Sequence, residues 1–172
     1  MIYIGIDPGL SGGVGVLKSY GSTYTDPENI KVLDTPTMVV SGVKEKREYN
    51  TAAMALLLEP FATQVGDSVF VVLENVHSMP KQGVASSFSF GKGFGMWQGI
   101  IAAFKLPMEL VSPQRWKKEI LVDMGQDKDA SRFKAIALFP SIAEQLSRKK
   151  DDGRAEALLL AEYGRRLRKG QL

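Results

Sequence analysis

The chain has 172 residues, 44% hydrophobic and 24% charged, a composition that suits a folded globular protein with a sizeable core and excludes a disordered segment. It has no cysteine, so disulfides, thiolate zinc sites and cysteine nucleophiles are excluded together; a single histidine, His77, argues against histidine-rich metal sites and histidine-based triads. The net charge of +3 is unevenly spread: residues 1–86 carry 6 Lys/Arg against 9 Asp/Glu, and residues 87–172 carry 16 against 10. Such a basic half fits a polyanionic partner and fits a solvated surface equally well.

MIYIGID alternates as a strand does, and the turn at Pro8 and Gly9 leads into a second strand, GVGVLK, to complete a hairpin. After a polar stretch at 20–29, IKVLDTP is a third strand. Residues 50–64 read as a helix capped by Asn50 or Thr51, with Pro60 expected to bend or shorten its last turn. SVFVVLENV (68–76) is the most continuous β-branched run and the best candidate for a buried strand. A loop of polar residues, Pro and Gly runs to about 86. Residues 87–105 read as a helix despite Gly91, Gly93, Gly95 and Gly99, which make sense where another backbone comes close. PMELVSP (107–113) is a short strand, and helices follow from Pro113, over 129–138, and over 151–168. The order predicts one α/β domain over residues 1–172, with a mixed central sheet flanked by helices. No apolar run approaches the ~20 residues of a membrane helix. The N-terminus lacks the basic segment of a secretory signal, so no membrane association is expected.

Acidic residues stand at unusual places in this pattern. Asp7 closes an apolar strand before a Pro-Gly turn; it is either a rigidly placed ligand or a cap of that turn. Glu74 closes the strand expected to be central, where a carboxylate costs several kcal/mol without a cation or donor, unless the strand is an edge facing solvent. Asp152 and Glu156 share one face of the last helix at i, i+4. Asp151 is a near-equal alternative to Asp152, and both aspartates also suit the positive end of the helix dipole. Carboxylates gathered within a few ångströms repel, and a multivalent cation removes that repulsion. With no thiols and one histidine, oxygen ligands favour Mg²⁺ or Mn²⁺.

IGIDPGLSGG at 4–13, the strand-end Glu74 and the ending DDGRAEALLLAEYG together resemble the RuvC-type Holliday junction resolvases. The resemblance is nearest to the phage-borne and plant chloroplast branch, through the KKDDGRAEALLLAEYG ending and SFSFGKGFGMWQG after the central Glu, and VSPQRWKK at 111–118 is similar to the family's strand followed by a basic helix. It covers residues 4 to 164. It implies a ribonuclease H-like fold, a homodimer and paired symmetrical nicks in four-way DNA junctions. It also implies two-metal hydrolysis leaving 5′-phosphates, with two Mg²⁺ per site, Mn²⁺ as a substitute, and no small-molecule cofactor. Asp7, Glu74, Asp152 and Glu156 are then the catalytic, metal-holding carboxylates. Two departures concern the last helix. Bacterial members space its acidic pair three apart, against four here, and the plant branch often has His at the Asp152 position. The lack of a targeting segment leads to the expectation of a bacterial cytoplasm, or that of a phage-infected cell, and a processed organellar form would look the same.

Lys81, Gln82, Lys117, Lys118, Lys128, Arg132, Lys149, Lys150 and Arg154 are candidates for DNA contact; each basic one can equally belong to a solvated face. Phe88, Phe90, Phe94 and Trp97 either stack on DNA at a branch point or pack in the core or a dimer interface. Trp116 reads as packing, and His77 as a loop residue outside the catalytic set. An actin-like or sugar-kinase ATPase also begins with a strand, an Asp and a glycine-rich turn, but needs two such domains and has no use for the KDDGRAEALLLA ending. GKGFG lacks the spacing of a P-loop. The same mechanism on flaps or forks, and a junction-binding protein with weak catalysis, remain the alternatives.

Overall fold

The computed structural model describes residues 1–19, 25–41, 46–63, 68–77, 83–125, 127 and 129–172. Strands β1 (Ile2–Asp7), β2 (Gly13–Lys18) and β3 (Ile30–Asp34) form an antiparallel meander. The chain then makes a separate two-stranded ribbon, β4 (Thr37–Val40) and β5 (Lys46–Tyr49), which the sequence pattern does not announce. Its strands are four residues each and mostly exposed, so they show no buried alternation. Helix α1 (Thr51–Ala62) opens on Asn50, whose side chain accepts from the Ala53 N–H at 3.1 Å, and it continues past Pro60.

Strand β6 (Val69–Glu74) pairs parallel with β1, and β7 (Met108–Val111) pairs parallel with β6, giving the order β3-β2-β1-β6-β7. Between them runs α2 (Val84–Ala103), three residues earlier at its start than the sequence suggests. Helix α3 (Pro113–Ile120) is capped by Ser112 and followed by α4 (Ala130–Leu138). Two 3-10 stretches, Pro140–Leu146 and Lys149–Asp151, lead into α5 (Asp152–Arg168). The mixed sheet flanked by helices is as expected. Among the described residues, no helix is long and apolar enough to cross a membrane.

The sheet has a core on each face, and the period of two decides which residue enters which. From β1 and β6, Ile2, Ile4, Ile6, Val69, Val71 and Leu73 join Met54 of α1 and Trp97 of α2. On the other face, Tyr3 and Val72 pack with Trp116, Phe139 and the apolar centre of α5. Continuing that alternation, Gly5 and Asp7 of β1 and Glu74 of β6 belong to the α5 face.

Helix α5 lies on this face in direct backbone contact. A Cβ at Gly5 would overlap the Ala157 carbonyl, and one at Gly15 would sit 2.5 Å from the Leu158 Cα. At the helix start, a Cβ on Gly153 would overlap the Ser11 carbonyl. Gly5→Ala is therefore expected to cost at least about 3 kcal/mol, since backbone rather than a flexible side chain must yield. Gly125→Ala, which meets open space, should stay within about 0.5 kcal/mol of the parent. Thermal and urea unfolding measure both; equal stabilities would show that the helix is not seated on the strands as described.

Candidate active site

Asp7 and Glu74 end neighbouring parallel strands whose register pairs Ile6 with Leu73. The two carboxylates thus leave the sheet together at its carboxyl edge, where open α/β sheets commonly bind ligands. Asp152 is the first residue of α5, and Glu156 follows one turn later. All four line one cleft of about 660 Å³, together with the turn after Asp7, Phe90 and Ser131.

Three of the four carboxylates are held by hydrogen bonds. The Gly9 N–H donates to Asp7 Oδ1 at 3.1 Å, so Asp7 does hold its turn, one of the two readings open from sequence. Glu74 is buried, and the Trp116 indole N–H donates to its Oε1 at 2.7 Å. Glu156 Oε1 accepts from Lys117 Nζ at 2.7 Å and from the Ser131 hydroxyl at 3.0 Å. Lys117 also lies 5.1 Å from the Trp116 ring centroid. Asp152 Oδ1 is buried without a hydrogen-bond partner; its nearest cation is Arg132, with Nε at 3.8 Å and likewise lacking a hydrogen bond.

Burial, with crowding of like charge behind it, shows in proton affinity. Burial, and then the Glu74 charge, push the Asp7 carboxyl up from 3.8 to about 7, against the Gly9 hydrogen bond and the Lys117 charge. Burial also raises Glu74, with Glu156 adding to the rise and the Trp116 bond opposing it. Burial and then the Asp129 charge raise Asp152, while Arg132 opposes.

Asp151 and Asp152 part company. Asp151 is buried and held by Arg148, through the backbone N–H at 2.9 Å and the guanidinium at 2.8 Å, which keeps its carboxyl below the usual range. It lies outside the cleft that Asp152 enters.

The cationic candidates divide similarly. Lys118, Lys149 and Lys150 are exposed. Arg132 and Arg154, two of the candidates for DNA contact, are engaged by the protein's own groups. Arg132 is buried between Asp129, Asp152 and the Ser147 carbonyl, and Arg154 makes a two-pronged contact with Asp34 at 2.6 and 2.7 Å. Lys117, with its side chain 40% exposed, ion-pairs with Glu156 of the cleft at 2.7 Å. Lys81, Gln82 and Lys128 lie outside the described residues. Of the aromatics, Trp97 and Phe94 pack in the core, Phe90 lines the cleft and Phe88 is 75% exposed.

Two supports escaped the sequence reading. Trp116 packs as expected, but its N–H also holds Glu74. Tyr49 donates from its hydroxyl to the Pro8 carbonyl at 3.1 Å, behind the turn that carries Asp7. Gly93 makes room for that ring, since a Cβ there would overlap it. No local pattern marks either contact, because both partners are far apart in the chain.

The donor set consists of carboxylate oxygens, and the orphaned Asp152 oxygen and the raised Asp7 carboxyl both call for positive charge. These features fit hard divalent cations such as Mg²⁺ or Mn²⁺. Glu74 is engaged by Trp116 and Glu156 by Lys117 and Ser131, and among the described residues no three Asp, Glu or His side chains already converge as a ready ion site.

No family model matches the chain. Over 113 residues it is 29% identical to the chloroplastic Holliday junction resolvase MOC1 of Chlamydomonas reinhardtii. That alignment covers 66% of this chain and 13% of the algal protein, so the chain corresponds to a small part of its relative. Two solved structures of Thermus thermophilus RuvC superpose on nearly the whole chain. The first has a TM-score of 0.59 at 15% identity, covering 99% of this chain and 98% of RuvC. The second, RuvC in complex with a Holliday junction substrate, has a TM-score of 0.62 at 16% identity, covering 99% and 97%. The fold is therefore ribonuclease H-like, and within that class it is the fold of RuvC. The resemblance carried by the motifs points to the same resolvases.

The sign of the Asp7 shift yields a test without cations. A carboxyl whose folded-state affinity for protons is raised is neutral in both states below pH 3.8. Its charged form then weighs increasingly against folding as pH rises to about 7. Asn carries no such charge. In EDTA, Asp7→Asn should gain stability over the parent between pH 4 and 7, reaching up to about 4 kcal/mol. Urea unfolding across that range measures the gain; a difference that does not change with pH would refute the raised Asp7 carboxyl.

Proposed function

We propose that the chain is a metal-dependent DNA endonuclease acting on four-way junctions, with residues 1–172 as one nuclease domain. The observation that carries this reading is the gathering of Asp7, Glu74, Asp152 and Glu156 in one cleft at the carboxyl edge of a RuvC-like sheet. Support for the substrate comes from the junction-bound Thermus structure and the algal resolvase.

These four residues would hold the cations. When bound, two Mg²⁺ ions supply Lewis-acid polarisation of the phosphodiester, activation of water and charge for the leaving oxygen. The chain's own part is placement. The Gly9 N–H and the Trp116 N–H keep one oxygen each of Asp7 and Glu74 turned, and Arg132 faces Asp152. Lys117 lends positive charge beside Glu156, Glu74 and Asp7. In-line attack leaves a 5′-phosphate and a 3′-hydroxyl.

Paired symmetrical nicks need two such sites about a two-fold axis. The outer face of α2 suits that contact: Val84 and Phe88 are exposed, and a Cβ on Gly91, Gly95 or Gly99 meets nothing within 4 Å. Small residues at i, i+4 and i+8 let two helices approach closely. A DNA-containing compartment, a bacterial cytoplasm or an organelle, is the setting this reading calls for.

Labelled four-way junction, flap, fork and linear duplex, each with Mg²⁺ and with EDTA, form the direct test. Paired cuts confined to the junction and to Mg²⁺ are expected. Asp7→Asn should lower turnover by at least about 100-fold, equivalent to about 3 kcal/mol of transition-state stabilisation, while junction binding persists. Equal cutting of flaps and forks would widen the substrate class, and full turnover in Asp7→Asn would refute the metal site. Gly95→Arg should yield monomers by sedimentation and unpaired nicks; a dimer that persists would move the interface elsewhere.

A further inference from the structure

A second groove, of about 410 Å³, opens into the catalytic cleft and shares Leu10, Ser11, Gly12, Asp152 and Gly153 with it. Arg47 of β5 and Lys149 and Lys150 of the 3-10 turn before α5 also line it, so two elements distant in sequence bring three cations together. Among the described residues the groove has two acidic ones besides Asp152, Asp34 and Asp151, and both are already neutralised. Arg154 grips Asp34 with two hydrogen bonds, and Arg148 grips Asp151. Arg47, Lys149 and Lys150 are exposed, and among the described residues none of them forms an ion pair.

Arg47 is also fixed in place. Its guanidinium donates to the Leu10 carbonyl at 3.2 Å and to the Thr37 hydroxyl at 3.2 Å. Leu10 belongs to the turn that follows Asp7, so this contact ties the β4–β5 ribbon to the catalytic turn. The ribbon thereby carries a positive charge to the rim of the acidic cleft.

The lining of the groove decides what class of ligand it takes. Uncompensated cations attract phosphate, yet among the described residues no aromatic ring lines the groove to stack on a base. Continuity with the cleft suits a chain of phosphates better than a single nucleotide. We infer that this groove binds the sugar-phosphate backbone of the DNA flanking the scissile bond, with Arg47, Lys149 and Lys150 on its phosphates. Such contacts set the register of the strand over the carboxylates without reading its sequence.

This role depends on the nuclease reading above, and the experiment separates the two. In the Asp7→Asn background, binding to a four-way junction is titrated from about 50 to 200 mM salt, with and without Arg47→Gln, Lys149→Gln and Lys150→Gln together. Loss of three phosphate contacts should make the slope of log K against log salt shallower by about 2 to 3 and weaken binding at least about tenfold at the low-salt end. The loss should be the same on junctions of different core sequence. Lys149→Gln with Lys150→Gln, both exposed, should alone flatten the slope by about 1 to 2 and leave the melting temperature unchanged. An unchanged slope in both variants overturns the groove and leaves the nuclease reading standing, and so does a loss confined to one core sequence. Failure of the Asp7→Asn chain itself to bind junction DNA sinks both.

Discussion

Helix α5 reaches the backbone of β1 and β2 because the residues facing it there have no side chains. The period of two along β1 places Gly5 and Asp7 on the same face, and in β2 it places Gly13 and Gly15 there. With Gly153 the helix start comes equally close to the turn at Ser11 and Gly12. Any side chain at these positions would lift the helix by the width of a methyl group or more, and with it Asp152 and Glu156. The space that admits the helix is therefore the same space that brings two chain-distant carboxylates down to Asp7 and Glu74. Fold and site share a single steric condition, and the apolar run from Ala157 to Ala161 supplies the burial that holds it.

That arrangement has an electrostatic cost, since burial first and neighbouring carboxylates second raise Asp7, Glu74 and Asp152. The neighbouring helices moderate it without removing it. Consecutive residues of α3, Trp116 and Lys117, serve two different carboxylates, one by an indole N–H and one by a charge. Helix α4 contributes Ser131 to Glu156 and Arg132 to Asp152. A site built for stability alone would have gained more from apolar residues at these positions. Partial neutralisation instead leaves a cluster that remains short of positive charge, which is the condition under which divalent cations bind with gain.

Much of this was legible in the sequence where the signal is local. The alternation of MIYIGID, the unbroken VFVVL run and the i, i+4 spacing of the last helix each depend on neighbours in the chain, and each appears in the structure. What the sequence hides is contact between distant segments. The β4–β5 ribbon has too few buried positions to show a pattern. Arg154 looks like a free cation until Asp34, 120 residues away, is seen beside it. Arg132 looks exposed until α4 turns it inward, and Trp116 looks like plain packing until Glu74 comes within reach of its N–H. The choice between Asp151 and Asp152 could not be made from adjacency, because it turns on Arg148 capturing one of them.

The distribution of charge around the cleft then has a consistent direction. Carboxylates occupy the floor, where the strand ends and α5 meet, and Arg47, Lys149 and Lys150, which form no ion pair among the described residues, stand at the rim, on the ribbon and on the turn before α5. An acidic floor alone repels phosphate, and a basic rim alone binds it without bringing it to any chemistry. On the nuclease reading proposed above, the two, set side by side through shared residues of the turn after Asp7, would draw a polyanion in and leave one place along its length for cations between it and the protein. The arginines that could have closed that rim, Arg148 and Arg154, are spent on Asp151 and Asp34, and this keeps the acidic residues beside the groove from cancelling Arg47, Lys149 and Lys150. Internal ion pairs thus act here less as stabilisers than as a means of deciding which charges the surface presents.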